Sequence, residues 1–304
     1  MKKLLTVFFI SFGLNSSTQP VITDSSLIIK PYFTPGESKT YLVTEECRMN
    51  FSFLLPVTTE SQYKITFKVL DTTQGYSILY SVQTVKTSNK RMPLESFKAK
   101  MANNINFVYK LNKQGWVVDL SSFNETRQHL INAVDSLVAV EQLSERDRKA
   151  INYIRKDLED DRAVEGFLKP LLLFNDIFTK PMFRNHKDYH AASRMNIFYK
   201  PTVPGTMIQE LKEMNKKDSG AQVSVDFIGN PASMAKYANP IYQEVYEYIS
   251  GKPLKDSPAE IRNDSQRNYE VMLQSGWPAK IHDKLILVYI QKLTYQTIMI
   301  LQDP

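Results

Sequence analysis

In the segment Tyr63-Lys64-Ile65-Thr66-Phe67-Lys68-Val69, apolar and polar residues alternate without a slip. Successive side chains of a strand point to opposite faces, so this pattern specifies a strand with one buried and one solvated face. The same period returns at Tyr76, Ile78, Tyr80, Val82 and Thr84, at Ile105, Phe107, Tyr109 and Leu111, and through residues 221–227. Asp71-Thr72-Thr73-Gln74-Gly75 separates the first two runs with turn residues. Strands joined by short polar turns form an antiparallel meander.

Both tryptophans of the chain follow a glycine. They lie in Leu111-Asn112-Lys113-Gln114-Gly115-Trp116-Val117-Val118 and in Val271-Met272-Leu273-Gln274-Ser275-Gly276-Trp277-Pro278. Glycine adopts positive φ at little cost, so each pair closes a hairpin, and together they frame one antiparallel architecture. Between them the period changes. Ser121 or Ser122 caps a helix, Glu125 completes a capping box, and Leu130, Ile131, Val134, Leu137, Val138 and Val140 recur at helical spacing. Ser144 opens a second amphipathic segment carrying Ile151, Ile154 and Leu158, which Gly166 and Pro170 interrupt. Strand patterning resumes at Met195, Ile197 and Tyr199. A loop over residues 201–205 leads to a strand over 207–214, which forms a hairpin with residues 221–227. Residues 234–249 read as a helix kinked at Pro240. Three strands close the chain, through Tyr269 and Val271, through Ile281 and Leu285, and through Tyr295 to Leu301.

Lys2 and Lys3 precede an apolar stretch over residues 4–14, the pattern of a secretory signal. The expectation is export to the periplasm or the cell exterior, with no membrane span after cleavage. Cys47 is the single cysteine, which excludes an internal disulfide and favours burial as a small apolar side chain. The formal charge is +6, but the lysines are scattered, so no nucleic-acid partner is expected.

The candidate metal ligands are His186, Asp188 and His190. Histidines four apart share a helix face, but Lys187 stands where a His-Glu-x-x-His hydrolase carries glutamate. The segment reads as loop. No Gly-x-Ser-x-Gly elbow and no glycine-rich phosphate loop occurs. Glu45 and Glu46 oppose a thiolate at Cys47. No cofactor is expected. The aromatic strand positions Tyr76, Tyr80 and Tyr109 with Trp116, or Trp277 with Tyr289 and Tyr295, are candidates to line a concave sheet holding an apolar or carbohydrate ligand. For any one ring, core and cross-strand packing is the favoured reading.

The order of export signal, tyrosine-rich strands, a Lys113-Gln114-Gly115-Trp116-Val117 turn, helices and a closing Ser275-Gly276-Trp277-Pro278 turn resembles that of uncharacterised secreted β-sheet proteins of Bacteroidetes-type bacteria. The chain departs from them in lacking a lipid-attachment cysteine and in its longer helical middle. The resemblance implies no catalytic residues.

The expected fold is α+β: a strongly curved antiparallel sheet, a sandwich or partly open barrel, built from N- and C-terminal strands around a helical insertion. Its parts are a signal peptide (1–17), a β-meander (18–120), a helical insertion (121–180) and a β-rich part completing the same sheet (181–304). The expected function is non-catalytic binding of an apolar small molecule, a lipid or an envelope protein. The alternatives are a hydrolase with a dispersed Asp/Glu/His or metal site, and a structural or assembly protein of the envelope.

Overall fold

The computed structural model describes residues 21–22, 26–50, 57–88, 101–119, 123–140, 143–159, 164, 168–178, 181–195, 202–215, 220–233, 243, 247, 253, 262–288 and 292–302. The expected signal peptide, Ile197, Tyr199, most of the expected helix over 234–249, and Tyr289 lie outside them.

In chain order the elements are β1 (Val21–Ile22), β2 (Ser26–Ile28), β3 (Ser38–Asn50), β4 (Val57–Asp71), β5 (Tyr76–Ser88), β6 (Asn106–Leu111) and β7 (Val117–Asp119). Three helices follow: α1 (Phe123–Val140), α2 (Glu145–Asp157) and α3 (Lys169–Asn175). Then come β8 (Pro181–Phe183), β9 (Lys187–Met195), β10 (Thr202–Asn215), β11 (Gly220–Gly229), β12 (Arg262–Met272), β13 (Pro278–Val288) and β14 (Lys292–Leu301). Eleven strands form one sheet in the order β7-β6-β5-β4-β3-β14-β13-β12-β11-β10-β9. Every pairing in it is antiparallel. The first meander and the last one therefore meet at the β3–β14 pair, and β7 and β9 remain as separate edges. A second sheet, β1-β2-β8, was not legible in the sequence. No helix among the described residues is long and apolar enough to cross a membrane.

The alternation of β4 becomes a buried face of Tyr63, Ile65, Phe67 and Val69, opposite exposed Lys64 and Lys68. Over this inner face lie α3 and the segment carrying Leu27, Ile29 and Phe33. Pro170 sits in the first turn of α3, where its missing N–H costs nothing. Leu171, Leu173 and Phe174 of α3 are buried, each contributing about 1.5–3 kcal/mol relative to exposure. Phe174 stacks on Phe67 at 4.3 Å between ring centroids, and Trp277 meets Phe33 at 4.2 Å. The Tyr41 hydroxyl donates to the Pro278 carbonyl at 2.8 Å, and that of Tyr76 to the Pro31 carbonyl at 2.7 Å.

Both Gly-Trp turns are hairpin loops with glycine at positive φ, 91° at Gly115 and 76° at Gly276. A Cβ on Gly276 would also stand 2.5 Å from the Lys30 carbonyl oxygen, whereas Gly36, at φ 82°, has open space around it. Gly36→Ala is expected to lose only the left-handed backbone cost of about 1–2 kcal/mol. Gly276→Ala should lose clearly more, measured as the difference in urea midpoints. Equal losses would show that the contact with Lys30 is not held.

Two readings of local structure are corrected. Residues 186–190 are not a loop: from Lys187 onward they form β9, and β10 begins at Thr202 within the expected 201–205 loop. β9 is an edge strand whose Lys187, Tyr189 and Ala191 are exposed. An edge strand needs no continuous apolar face, so the alternation that marks inner strands is absent.

Candidate binding site on the inner face of the sheet

Cross-strand register aligns side chains into rows, and three neighbouring rows of the inner face differ sharply in chemistry. The first runs Leu211, Val223, Tyr269, Ile281, Met299, Val43 and Tyr63 from β10 to β4, wholly apolar or aromatic. Two residues along each strand, the next row runs Asp188, Gln209, Val225, Arg267, Asp283, Thr297, Glu45 and Ser61, from β9 to β4. All but Val225 are polar or charged. The third row runs His190, Met207, Phe227, Ser265, Leu285, Tyr295, Cys47 and Thr59. A polar line thus crosses eight strands and divides the inner face in two.

The charges of that line are paired with each other and with α3. Asp283, 1% exposed, accepts from Arg267 Nε at 2.7 Å and meets Lys169 Nζ at 2.9 Å. Lys169 also donates to Thr297 Oγ1 at 3.0 Å and lies 4.4 Å from the centre of the Tyr295 ring. The second partner of Arg267 is Asp176, just past the end of α3. Tyr295 donates its hydroxyl to Glu45. Burial alone would raise the Asp283 carboxyl, but Lys169 and Arg267 outweigh it and hold the group well below the usual carboxylate range. Burial would likewise lower the Arg267 guanidinium, and Asp283 and Asp176 reverse that. At Tyr63, burial first and the Glu45 carboxylate second push the phenol well above its ordinary value.

On one side of the line lies the continuous apolar core. On the other, Phe227, Leu287 and Cys47 are buried but stand outside that core cluster. They share this side with buried Thr59, Ser265 and Asn263. Two amide groups are buried without a hydrogen-bond partner for one atom each: Gln209 Oε1, on a side chain 5% exposed, and Asn263 Nδ2, on one 3% exposed. Gln209 belongs to the polar line and Asn263 lies beyond it, and Tyr80 Oη and Trp277 Nε1 in the continuous core are likewise buried and unpaired, so such atoms do not distinguish the two halves of the face.

The residues nominated from sequence are placed differently. Tyr76, Tyr80, Tyr109 and Trp277 are buried in the continuous core, with Tyr80 against Phe67 and Phe107 and Trp277 against Phe33 and Phe174. As placed, these four rings pack against protein side chains. Trp116 is 55% exposed at the β6–β7 turn. Of the metal candidates, Asp188 and His190 share the inner side of β9, with Oδ2 and Nε2 3.1 Å apart. His186 precedes the strand, exposed, with its ring 6.3 Å from that of Phe183. Among the described residues no group of three or more His, Cys, Asp or Glu side chains could hold a metal ion.

Sequence reasoning missed the polar line, although a signal for it exists. Asp283 between Ile281 and Leu285, Glu45 between Val43 and Cys47, and Arg267 between Ser265 and Tyr269 each occupy the inward phase of a strand. A charged residue in that phase is a buried charge, and buried charges need partners.

No protein-family model matches the chain, and no curated protein matches it.

Proposed function

We propose that the protein is an exported, non-catalytic binding protein that holds an apolar small molecule or lipid against the inner face of its sheet. Export follows from Lys2, Lys3 and the apolar stretch over residues 4–14. A sheet of eleven strands twists and curls rather than staying flat, which makes the covered face concave. The observation that carries the reading is the division of that face. One half is a closed apolar core, while the other sets half-buried Leu285 and Tyr295 beside buried Phe227 and Leu287 and the polar side chains of Thr59, Ser265 and Asn263. Ligand sites combine such apolar walls with a few polar groups that fix orientation.

The test is a fluorescence titration with 1-N-phenylnaphthylamine, a neutral apolar probe. The expected result is a saturable, blue-shifted rise reaching one probe per chain. A linear, unsaturated response would overturn the reading.

A further inference from the structure

The two edges of the eleven-stranded sheet differ in a way that bears on assembly. β7 is three residues long, and its pairing with β6 carries a register irregularity. β9 is nine residues long, holds no proline, and pairs with β10 without a bulge. Among the described residues, no strand pairs with its outer side. Short, bulged or proline-bearing edges resist further pairing, whereas a long regular edge offers a row of backbone N–H and C=O groups to another strand. We infer that β9 pairs antiparallel with β9 of a second copy of this chain, about a two-fold axis at Ala191.

The self-pairing follows from the strand's own sequence. Two identical antiparallel strands are related by a two-fold axis perpendicular to the sheet, so residues opposite each other lie on the same face. Full overlap of the nine residues Lys187–Met195 puts that axis at Ala191. Asp188 of one copy then stands opposite Arg194 of the other, twice by symmetry, and Tyr189 stands opposite Ser193. Opposite charges directly across a strand pair stabilise it. Moving the axis one residue either way shortens the ladder and sets His190 against His190 or against Arg194. A charge blunts an edge when it meets its like, and in the full register Asp188 meets a cation instead.

The exposed side chains around the axis fit the same occupant. Ala191 is small and exposed, so nothing bulky stands where the two copies meet. Tyr189 is 62% exposed on the outer face, with Ile208 directly opposite it on β10 and the half-exposed Ile228 beyond on β11. In the paired strands each Tyr189 lies diagonal to Ala191 of the other copy, about 7–8 Å away and within reach of an aromatic side chain. An apolar ring that stands in water on one chain thus gains cover from the second, which favours association.

Sedimentation velocity of the purified chain over rising concentration, at low salt, tests the pairing. The expected result is a reversible shift to the mass of two chains. Asp188→Arg and Arg194→Asp should each weaken association about tenfold, because each sets two like-charge contacts in the ladder. Combining them should restore it. Ala191→Lys, at an exposed position, should abolish association by bringing two ammonium groups together at the axis. Hydrogen exchange gives an independent readout on the wild-type chain: the amides of β9 should gain protection as concentration rises, and those of β7 should not. A chain that stays monomeric throughout would overturn the inference. So would a dimer whose β9 amides gain no protection, or one that the three single substitutions leave intact. The exchange result on the wild-type chain decides the matter even if a variant fails to fold.

Discussion

Asp283→Asn is expected to cost about 3–5 kcal/mol of folding stability at neutral pH, because removing one member of a buried ion cluster strands its partners. Here the stranded groups are Lys169 and Arg267, and with them goes the tie that fixes both ends of α3 over β12, β13 and β14. The pH dependence has a definite sign. The Asp283 carboxyl titrates lower in the fold than in the unfolded chain. Its contribution is therefore complete above the unfolded carboxylate value of about 3.9 and is lost as pH falls below that toward the folded value. The wild-type advantage over Asp283→Asn, read from urea midpoints, should be constant from neutral pH to mildly acid conditions and then shrink below the unfolded carboxylate value. A gap that widens as pH falls would refute the assignment. A companion variant sharpens the point. Replacing Asp283, Lys169 and Arg267 together by leucine and methionines should recover much of the loss, since well-packed apolar groups often match or exceed a buried ion cluster.

The second large effect separates the two tryptophans. Trp277→Ala should cost about 3–5 kcal/mol, the range for emptying a large aromatic site in a core. Trp277 is fully buried among Phe33, Phe67 and Phe174, and the Tyr32 amide donates to the Ser275 carbonyl of the same turn at 3.1 Å. Trp116→Ala, on a side chain 55% exposed, should stay within about 0.5 kcal/mol of wild type. Trp116→Phe leaves a single emitter, so the folded protein should then fluoresce at the blue end of the tryptophan range. Red emission from that variant would place Trp277 in water and contradict the packing of the whole N-terminal half.

That contrast shows what local sequence carries and what it leaves out. The two Gly-Trp turns are alike in sequence, and both form hairpin loops with glycine at positive φ. Their indoles differ because a remote segment, the one leading to Phe33, lies over the second turn and not the first. Strands with strong alternation, such as β4, β5 and β11, are legible because one face is buried, whereas only the Tyr269–Val271 end of β12 carries the pattern. β9 escapes notice because an edge strand carries no such constraint. Helical spacing locates α1 and α2, although the expected α1 caps Ser121 and Ser122 lie outside the described residues, and Pro170 lies in the first turn of α3.

The candidate site was hidden for a related reason. Glu45, Arg267, Asp283 and Thr297 are far apart in the chain and interrupt their strands one residue at a time. Each interruption looks minor alone. Hairpin registers across β12, β13, β14 and β3 bring them into one line, and only the sum of those registers shows it. The aromatic residues drew attention first because they are numerous in the strands, yet abundance in strands is what a core requires.

The central claim, that a ligand lies against the inner face beyond the polar line, is tested most directly by photolabelling. A diazirine-tailed dodecanol is irradiated with the protein, and the labelled peptides are mapped by mass. The account predicts saturable labels at half-buried inner positions such as Met207, Leu285 and Tyr295, abolished by excess unlabelled dodecanol. Labels confined to outer positions such as Lys64 and Gln266, or labelling that never saturates, would contradict it.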